Sequence, residues 1–334
     1  MLRVAILGAG SMGHTHATGW AATDAKVVGV VALDRGAAEE VAALCGAAVY
    51  QGLDAVLPQV DIVDICLPTY LHLEFTLKAA AAGKHIFCEK PIARTVEDGQ
   101  KMIAACNAAG VRLFVGQVIR FFPQYRKAYD ALQDGKIGNL AVLRLTRVGY
   151  RPHSSFENWF GDVNRSGGPL LDVLVHDYDY ARWMGGEIER VYTRCSPPDA
   201  GGISEYAQVL LRFRSGAISH IEGGWVYPPG MFRTKIEAAG DAGLIEWESD
   251  STAPVTTYFK AAPGAVADVG IPLSPLEVDP YTAIIQHFYD AVQHDKPFAV
   301  TPEDALAAVQ IGIAALESAA TGKPVTLTPL PEVN

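Results

Sequence analysis

Three groups of residues in this sequence have types and spacings that suit them to chemistry. The first is a glycine-rich run, Gly8-Ala9-Gly10-Ser11-Met12-Gly13, which matches the pattern GxGxxG. The second is Glu89-Lys90-Pro91, and the third is Asp172, His176 and Asp179 in an otherwise apolar stretch. Together they predict a phosphate-binding loop, an ammonium group and an acid/base group, a set suited to moving a hydride to or from an alcohol carbon.

The glycine run predicts a dinucleotide site, because it follows a short apolar run and precedes a helix-favouring stretch. The first glycine permits a tight turn, the second lets the backbone approach a pyrophosphate, and the third lets helix and strand pack closely. The free N–H groups at the start of the helix would bind the phosphates. The alternative interpretation is an ordinary glycine turn.

Asp34 predicts which nicotinamide cofactor is bound. It follows the last glycine of the loop by about 20 residues, at the end of the second predicted strand, where a carboxylate accepts hydrogen bonds from the adenosine ribose. The same charge repels a 2′-phosphate, so NAD is favoured over NADP. Arg35 weakens this prediction, since its guanidinium could turn toward a 2′-phosphate. A solvated loop charge is the alternative for Asp34.

Further cofactor neighbours are predicted at strand ends, because the carboxyl ends of parallel strands face the ligand crevice of an open α/β sheet. Pro68 and Thr69 follow one such strand. His72 either lies beside the nicotinamide or only begins a helix, and the sequence leaves both interpretations open. His16, one turn into the first helix, is assigned a structural role.

Lys90 is the predicted catalytic cation. It follows the predicted strand His85–Cys88 directly, so it and Glu89 are expected to lie near the cofactor. Its ammonium would hydrogen-bond the substrate hydroxyl and stabilise developing negative charge. A surface charge is the alternative interpretation for a lysine taken in isolation.

Asp172 and His176 are the predicted acid/base pair. On one helix they are four residues apart, and Asp179 lies three residues further, so all three would share a stripe. Polar groups on an apolar face cost free energy unless they are hydrogen-bonded or used. His176 would take the substrate hydroxyl proton while Asp172 orients the imidazole or binds a neighbouring hydroxyl. The alternative is a hydrogen-bonded helix patch.

Other substrate-binding candidates rest on position alone. Arg120 follows the fifth predicted strand and either reaches the crevice or forms a salt bridge. Tyr281 opens a predicted helix and either points into the site or packs in the core. A polar and aromatic loop suited to gripping polyhydroxylated rings contains Arg151, His153, Asn158 and Trp159.

The elements that must position these groups form two predicted α/β domains. Over about the first 115 residues, short apolar runs alternate with helix-favouring segments, which predicts a Rossmann domain with a parallel sheet at residues 1–120. The predicted strands are Arg3–Leu7, Val27–Leu33, Ile62–Leu67, His85–Cys88 and Arg112–Val115, and the helices between them include Leu71–Ala82 and Val96–Ala109.

Longer alternating runs predict a large, mostly antiparallel sheet in a second domain at residues 121–334. Gly240–Gly243 is typical of a hairpin turn, and Thr301 with Pro302 is typical of a helix start. The predicted strands are Leu140–Val148, Ala207–Phe213, Ile218–Trp225 and Lys235–Ala239, and the helices are Tyr125–Gln133, Pro169–Met184, Pro280–His294 and Pro302–Thr321.

Composition narrows the class of protein. A chain of 334 residues exceeds what one hydrophobic core usually serves, which agrees with two domains. The formal net charge of -10 argues against a broad basic surface for nucleic acid or an anionic membrane. Five cysteines without metal-ligand spacing predict reduced thiols in a cytoplasmic protein with no metal site. We expect neither a signal peptide nor a transmembrane segment.

The sequence resembles the Gfo/Idh/MocA family, named for glucose–fructose oxidoreductase, inositol dehydrogenase and rhizopine catabolism. The resemblance covers nearly the whole chain. It rests on Gly8–Gly13, on Ala82–His85 leading into Glu89–Pro91, on Arg120-Phe121, on Asp172 with His176, and on Gly240–Gly243.

This resemblance implies an N-terminal Rossmann domain and a C-terminal α/β domain whose open, mostly antiparallel sheet often forms a dimer or tetramer interface. It places the family's catalytic residues at Lys90, Asp172 and His176. It implies reversible oxidation of an alcohol of a sugar, sugar derivative or cyclitol, in a homodimer or homotetramer. The run His176–Trp183 is similar to the inositol dehydrogenase branch, which favours a cyclitol such as myo-inositol.

Two departures from the family pattern could reshape the pocket. Ser166 stands where many members have the first of three glycines, and Leu174 stands where many have a glycine. Two rival functions also remain for a chain of this family. One is a glycosidase that retains its NAD and uses transient oxidation, and the other is a non-catalytic dinucleotide-binding sensor, which would not need Lys90, Asp172 and His176 together.

Overall fold

The computed structural model describes residues 1–152, 157–199, 202–250 and 279–331. These residues form two compact units. Unit 1 contains residues 1–121, 279–306 and 331, and unit 2 contains the described residues of 122–250 together with 307–330. The first segment of unit 1 ends close to the boundary predicted near residue 120, while residues 279–306 return to unit 1 from the far end of the chain.

Unit 1 is built on a parallel sheet of six strands in the order β3-β2-β1-β4-β5-β6. Every residue of β4 and β6 is buried, as expected for a sheet covered on both faces. The strand order reverses between β1 and β4, which is the switch point where such sheets bind ligands. The strands are β1 (Arg3–Leu7), β2 (Lys26–Val31), β3 (Ala48–Tyr50), β4 (Ile62–Ile65), β5 (His85–Cys88) and β6 (Leu113–Val115).

Helices connect these strands, and the sequence explains where α5 begins and ends. The helices are α1 (Ser11–Ala21), α2 (Arg35–Cys45), α3 (Leu53–Val56), α4 (His72–Ala81) and α5 (Val96–Ala109). Thr95 caps α5 by accepting a hydrogen bond from the Asp98 N–H, and the helix ends at Gly110 with φ 65°. A glycine takes this left-handed conformation at no steric cost.

Unit 2 is built on a mixed sheet in the order β12-β11-β7-β10-β9-β8-β13. The pairing of β7 with β10 is parallel, and the other pairings are antiparallel. The alternating run in β9 buries every second residue, as predicted. The strands are β7 (Leu140–Val148), β8 (Ile188–Cys195), β9 (Tyr206–Phe213), β10 (Ile218–Gly224), β11 (Arg233–Gly240), β12 (Leu244–Glu248) and β13 (Val325–Thr326).

The remaining helices are α6 (Pro123–Gln133), α7 (Val163–Ser166), α8 (Gly168–Asp172), α9 (Val175–Gly185), α10 (Pro280–Gln293) and α11 (Pro302–Thr321). The prediction of one helix over Pro169–Met184 is wrong, because α8 and α9 are separate. The Leu174 N–H reaches five residues back to the Pro169 carbonyl, whereas the Asp177 N–H reaches three residues back to the Leu174 carbonyl. The regular helical pattern of hydrogen bonds, from each N–H to the carbonyl four residues back, is therefore interrupted between Asp172 and Val175.

Helix α10 joins unit 1 by packing on α1. A Cβ at Gly19 would lie 2.5 Å from Ile285 Cδ1, so a larger residue there would displace the Ile285 side chain. Trp20 and Phe288 add an edge-on ring contact with 6.2 Å between centroids. Buried aromatic pairs of this kind stabilise a packing interface beyond the area they bury.

Several local predictions are confirmed. Thr301 caps α11, since its Oγ1 accepts from the Asp304 N–H at 3.1 Å. Gly240–Gly243 forms the turn between β11 and β12, with the Gly240 N–H donating to the Gly243 carbonyl at 2.9 Å. Strands β2 and β4 end two residues before the predicted ends, because the chain turns into loops there. The predictions omitted β3, β8, β12 and β13.

Within the residues described, no helix combines the length and the apolar character needed to cross a membrane. All five cysteines are free thiols.

Candidate functional site

The glycine loop of unit 1 has the geometry that its sequence pattern predicts. Gly8 has φ 105°, and a Cβ there would overlap the backbone carbonyl oxygen of Cys66. A Cβ at Gly13 would overlap the Gly8 carbonyl oxygen. Neither position has room for a side chain, so the tight turn and the close approach of α1 both require glycine.

Gly10 differs from its two neighbours in the motif, because a Cβ there would meet no described atom of the unit within 4 Å. Gly10 is also the N-cap of α1, it offers no side-chain cap, and the first turn contains no acidic residue. The positive end of α1 is therefore not neutralised by a carboxylate of its own first turn. Ser11 and Met12, both half-buried, open the helix beside this space. These features fit a dinucleotide pyrophosphate.

Asp34 lies three residues beyond β2 and caps α2. Its Oδ1 accepts from the Ala37 N–H at 3.1 Å, and the residue is exposed. Among the residues described, no hydrogen-bond donor lies on Oδ2. Arg35 is also exposed and pairs with Glu39 one turn along α2, at 2.8 Å.

Two predicted cofactor neighbours follow β4. Pro68 is half-buried, and Thr69 is buried and begins a 3₁₀ turn. Helix α4 begins at His72, whose imidazole is buried between two backbone carbonyls: Nδ1 lies 2.9 Å from the Pro91 oxygen and Nε2 lies 2.8 Å from the Leu67 oxygen. A direct hydrogen bond from His72 to a cofactor would need one of these contacts to break.

Glu89 and Lys90 follow β5, the neighbour of β4 in the sheet. The register pairs Ile65 with Cys88, so the two loops leave the sheet side by side. Lys90 is half-buried, whereas the Glu89 side chain is buried and its Oε2 lies 3.2 Å from the Lys90 backbone N–H. Lys90 therefore lies at the carboxyl edge of the sheet, beside the loop that follows β4.

Asp172 and His176 belong to unit 2. Asp172 is the last residue of α8 and is 6% exposed, and His176 is the second residue of α9 and is half-buried. The expectation that Asp172 and His176 share a stripe with Asp179 assumed one continuous helix. Because α8 ends at Asp172 and α9 begins at Val175, the spacing of four residues does not place Asp172 and His176 on one helix face. Asp179 itself is buried in α9.

A buried ion pair that sequence reasoning missed holds α9 against the sheet. Arg147 on β7 donates through Nε to Asp177 Oδ2 at 2.6 Å, and its Nη2 donates to the Tyr125 hydroxyl at 3.1 Å. Burial raises the pKa of Asp177, and the Arg147 guanidinium opposes that rise. The sequence held a signal, since Arg147 has the inward phase of Leu143 and Leu145 on β7.

Both departures from the family pattern fit their surroundings in unit 2. Leu174 is fully buried, and its Cδ2 lies against Gly223 of β10, so close that a Cβ at Gly223 would overlap it. The Ser166 hydroxyl accepts from the Gly168 N–H at 3.0 Å and lies 3.1 Å from the Phe160 carbonyl oxygen. A serine at this position therefore supports the loop before α8 rather than loosening it.

Arg120 and Tyr281 are both placed in the interior of unit 1. Arg120 is 6% exposed, and its Nη1 lies 3.2 Å from Asp304 Oδ2 and 3.1 Å from the Ala299 carbonyl oxygen. Of the two interpretations of Arg120, the salt bridge is the one observed. Tyr281 is 9% exposed in the first turn of α10, which matches the packing alternative.

The polar and aromatic loop of unit 2 is described in part. Arg151 pairs with Asp199 at 2.7 Å and Glu205 at 3.1 Å. Asn158 is exposed with φ 45°, and Trp159 is 9% exposed and stacks on Phe160. His153 lies outside the described residues.

Two family models match the chain. Residues 2–117 match the model described as "Oxidoreductase family, NAD-binding Rossmann fold". Residues 130–327 match the model described as "Oxidoreductase family, C-terminal alpha/beta domain".

Named relatives match most of the chain. A scyllo-inositol 2-dehydrogenase (NAD(+)) of Bacillus subtilis is 31% identical, with 98% of this chain and 96% of the relative covered. A myo-inositol 2-dehydrogenase of Thermotoga maritima is 32% identical, with 78% of each chain covered. A crystal structure of GenD2 from gentamicin A biosynthesis in complex with NAD superposes with a TM-score of 0.86 at 27% identity, covering 98% of this chain and 97% of that one.

Proposed function

The chain belongs to the Gfo/Idh/MocA family of NAD-binding oxidoreductases, and we propose that it oxidises a secondary alcohol of a sugar or cyclitol, with myo-inositol as the first candidate substrate. One observation carries the proposal. In unit 1, the open space over Gly10 and the half-buried Lys90 both lie at the carboxyl edge of the same parallel sheet. This edge is where open α/β sheets bind their ligands.

The proposed roles follow from the chemistry of each group. When bound, NAD accepts the hydride from the alcohol carbon. Lys90 hydrogen-bonds the substrate oxygen and stabilises the negative charge that develops there as the hydroxyl proton leaves, before hydride loss converts the alcohol to a carbonyl. His176 accepts the hydroxyl proton, and Asp172 holds the imidazole or a neighbouring hydroxyl. The inositol dehydrogenases among the relatives support a cyclitol.

We propose NAD rather than NADP as the cofactor, because Asp34 puts a carboxylate just beyond β2 and Arg35 is already paired with Glu39. We also propose a cytoplasmic homodimer or homotetramer. The free thiols support the compartment.

The cofactor assignment predicts the effect of removing the Asp34 charge. We expect Asp34→Ser to raise kcat/KM with NADP relative to NAD by about tenfold, equivalent to ~1.4 kcal/mol of selectivity. Serine still accepts from the α2 N–H groups, so stability should hardly change. Asp34→Ala is the matched comparison, since it also removes the cap and should cost ~1 kcal/mol of unfolding free energy.

Steady-state kinetics with both cofactors and thermal unfolding of both variants test this prediction. If Asp34→Ser keeps the selectivity of the unaltered protein while Asp34→Ala loses stability, Asp34 is a helix cap and not a ribose ligand. The preference for NAD would then need another cause.

The function itself is tested by following NADH absorbance with purified protein, NAD and a panel of cyclitols and sugars, then repeating the panel with NADP. We expect absorbance to rise with myo-inositol or another polyol. A protein that binds NAD but produces NADH with no member of the panel contradicts the proposal. Cofactor that stays bound through purification, with glycoside cleavage, would instead identify the NAD-retaining glycosidase.

A further inference from the structure

A buried histidine of unit 1 bridges two carboxylates. His16 on α1 places Nδ1 2.9 Å from Asp64 Oδ2 and 3.0 Å from Asp64 Oδ1, and it places Nε2 3.0 Å from Glu89 Oε1. His16 and Asp64 are fully buried, and Glu89 is 7% exposed. The first two residues lie 48 positions apart in the chain, and Glu89 lies 73 positions from His16.

The contacts define the charge of this histidine. Each ring nitrogen faces a carboxylate oxygen, and we assign the ring as an imidazolium because only that form donates from both nitrogens. Burial alone lowers the pKa of His16, but the charge of Asp64 and the hydrogen bonds around the ring raise it well above its usual value. The other groups around the ring are the Cys66 thiol and the Phe87 ring.

The bridge ends on the backbone of Lys90. Glu89 Oε1 accepts the hydrogen bond from His16 Nε2, and Glu89 Oε2 lies 3.2 Å from the Lys90 backbone nitrogen. Gly116 makes room for this carboxylate, because a Cβ there would lie 2.7 Å from Glu89 Oε1. The position of the Glu89 carboxylate, and with it the peptide of Lys90, therefore depends on His16.

A second histidine holds the other side of the same segment. His72 Nδ1 lies 2.9 Å from the Pro91 carbonyl oxygen, and its Nε2 lies 2.8 Å from the Leu67 oxygen. Burial lowers the pKa of His72, opposed by its hydrogen bonds to these two carbonyls. The segment Glu89–Pro91 is thus tied to α1, which starts in the glycine loop, and to α4, which starts after Thr69.

We propose that His16 is a positioning residue for Lys90: it fixes the Glu89 carboxylate, which fixes the Lys90 peptide, and so sets the ammonium against the substrate oxygen. This inference rests on the proposed function for the catalytic meaning of Lys90. The positioning of the Lys90 side chain is a separate property that can be measured without any substrate.

A metal site is the other use for these groups, since ligand atoms of His16, Asp64 and Cys66 lie within 4.8 Å of one another. The hydrogen bonds favour the bridge. Both nitrogens of His16 already face carboxylates, and Asp64 Oδ2 also accepts from Trp20 Nε1 at 2.6 Å. Burial, followed by the charge of Asp64, raises the pKa of the Cys66 thiol, so the thiolate that a metal needs is disfavoured.

Two amide substitutions of His16 distinguish its contact with Asp64 from its contact with Glu89. In His16→Asn the amide nitrogen takes the place of Nδ1, so the donor to Asp64 is kept and the donor to Glu89 is lost. In His16→Gln the amide nitrogen takes the place of Nε2, so the donor to Glu89 is kept. Both variants lose the buried positive charge. We therefore expect similar losses of thermal stability from the two.

Their activities should differ. We expect His16→Asn to lower kcat by about 10- to 100-fold with little change in KM for NAD, because small misplacements of a catalytic group cost this much. His16→Gln should stay within about threefold of the unaltered protein, as expected when the Glu89 contact is kept. Trp20→Phe is the control, since it removes a donor to Asp64 without touching Glu89.

Acylation of Lys90 provides the readout that needs no substrate. At low extents of labelling, where Lys84 is still unmodified and cleaved, trypsin releases residues 85–94 as one peptide, because proline follows Lys90, and that peptide contains no other lysine. Its labelling rate with acetic anhydride, measured by mass spectrometry, should change several-fold in His16→Asn and stay unchanged in His16→Gln and Trp20→Phe. If His16→Asn fails to fold, Gly116→Ala puts a methyl group against the same carboxylate and should change the labelling in its place.

Equal labelling rates in all folded variants, or equal loss of kcat in the asparagine and glutamine variants, would overturn the proposal and leave His16 as a stability element. An unaltered protein that oxidises no polyol would overturn the proposed function instead. The labelling rates would still decide the positioning of Lys90 in that case.

Discussion

Lys90→Met should lower kcat for polyol oxidation by about 10²- to 10⁴-fold, the range for removing a group that assists proton transfer. Methionine keeps an unbranched apolar stem of similar length, so packing of the half-buried side chain is largely preserved. What disappears is the ammonium that stabilises the substrate oxygen as negative charge develops there. NAD affinity should change little, because the glycine loop and Asp34 are untouched.

Lys84→Met is the matched control. Lys84 is also half-buried, but it precedes β5, whereas Lys90 follows it, so the two lysines lie at opposite ends of the same strand. The control should retain its activity, since ligands bind at the carboxyl edge of such a sheet. Steady-state kinetics and NAD titration by fluorescence check both variants. Unimpaired kcat in Lys90→Met would refute the catalytic assignment of Lys90.

Arg147→Met should destabilise the protein by ~3–5 kcal/mol, the cost of leaving a buried charge without its partner. The partner is Asp177, which is fully buried and receives Arg147 Nε at 2.6 Å. The double variant Arg147→Met, Asp177→Leu removes both charges and should recover most of that loss.

The loss of stability in Arg147→Met should also become smaller as the pH is lowered. Burial raises the pKa of Asp177 even with Arg147 present, and removing the guanidinium raises it further. A carboxyl with a raised folded-state pKa costs stability above that pKa, and the cost falls as pH decreases through it. The difference in stability between Arg147→Met and the unaltered protein should therefore shrink in acid.

Chemical denaturation of the single and double variants at neutral and acidic pH tests both statements. A double variant no more stable than Arg147→Met would mean that the lost stability comes from packing of the arginine stem rather than from the unpaired carboxylate. A loss of stability that does not change with pH would likewise point to packing of the arginine stem rather than to the unpaired Asp177 carboxylate.

Local patterns in the sequence were sufficient to predict much of this protein. The strand periodicity, the cap at Thr301 and the turn at Gly240–Gly243 depend on neighbouring residues, so they could be read without a structure. The glycine loop is local only in part. Gly13 contacts the Gly8 carbonyl within the same turn, whereas the carbonyl oxygen that excludes a side chain at Gly8 belongs to Cys66, just beyond β4.

The break between α8 and α9 could not be read in this way. Every residue from Leu170 to Val175 is buried, so the apolar pattern continues through the break. Leu174 packs where Gly223 of β10 leaves room, and that strand lies far along the chain. The sequence pattern alone predicts one continuous helix, and we attribute the break to the packing of Leu174 against β10.

The partners of the buried charges were also beyond the sequence. Composition gave no sign that His16 would meet Asp64 and Glu89, that Arg147 would meet Asp177, or which interpretation of Arg120 would hold. A buried charge costs free energy until it is paired, and its partner can come from any part of the chain that folding brings near. The sequence by itself determined the local elements and the types of group available for chemistry, whereas the tertiary structure decided which groups are held by one another.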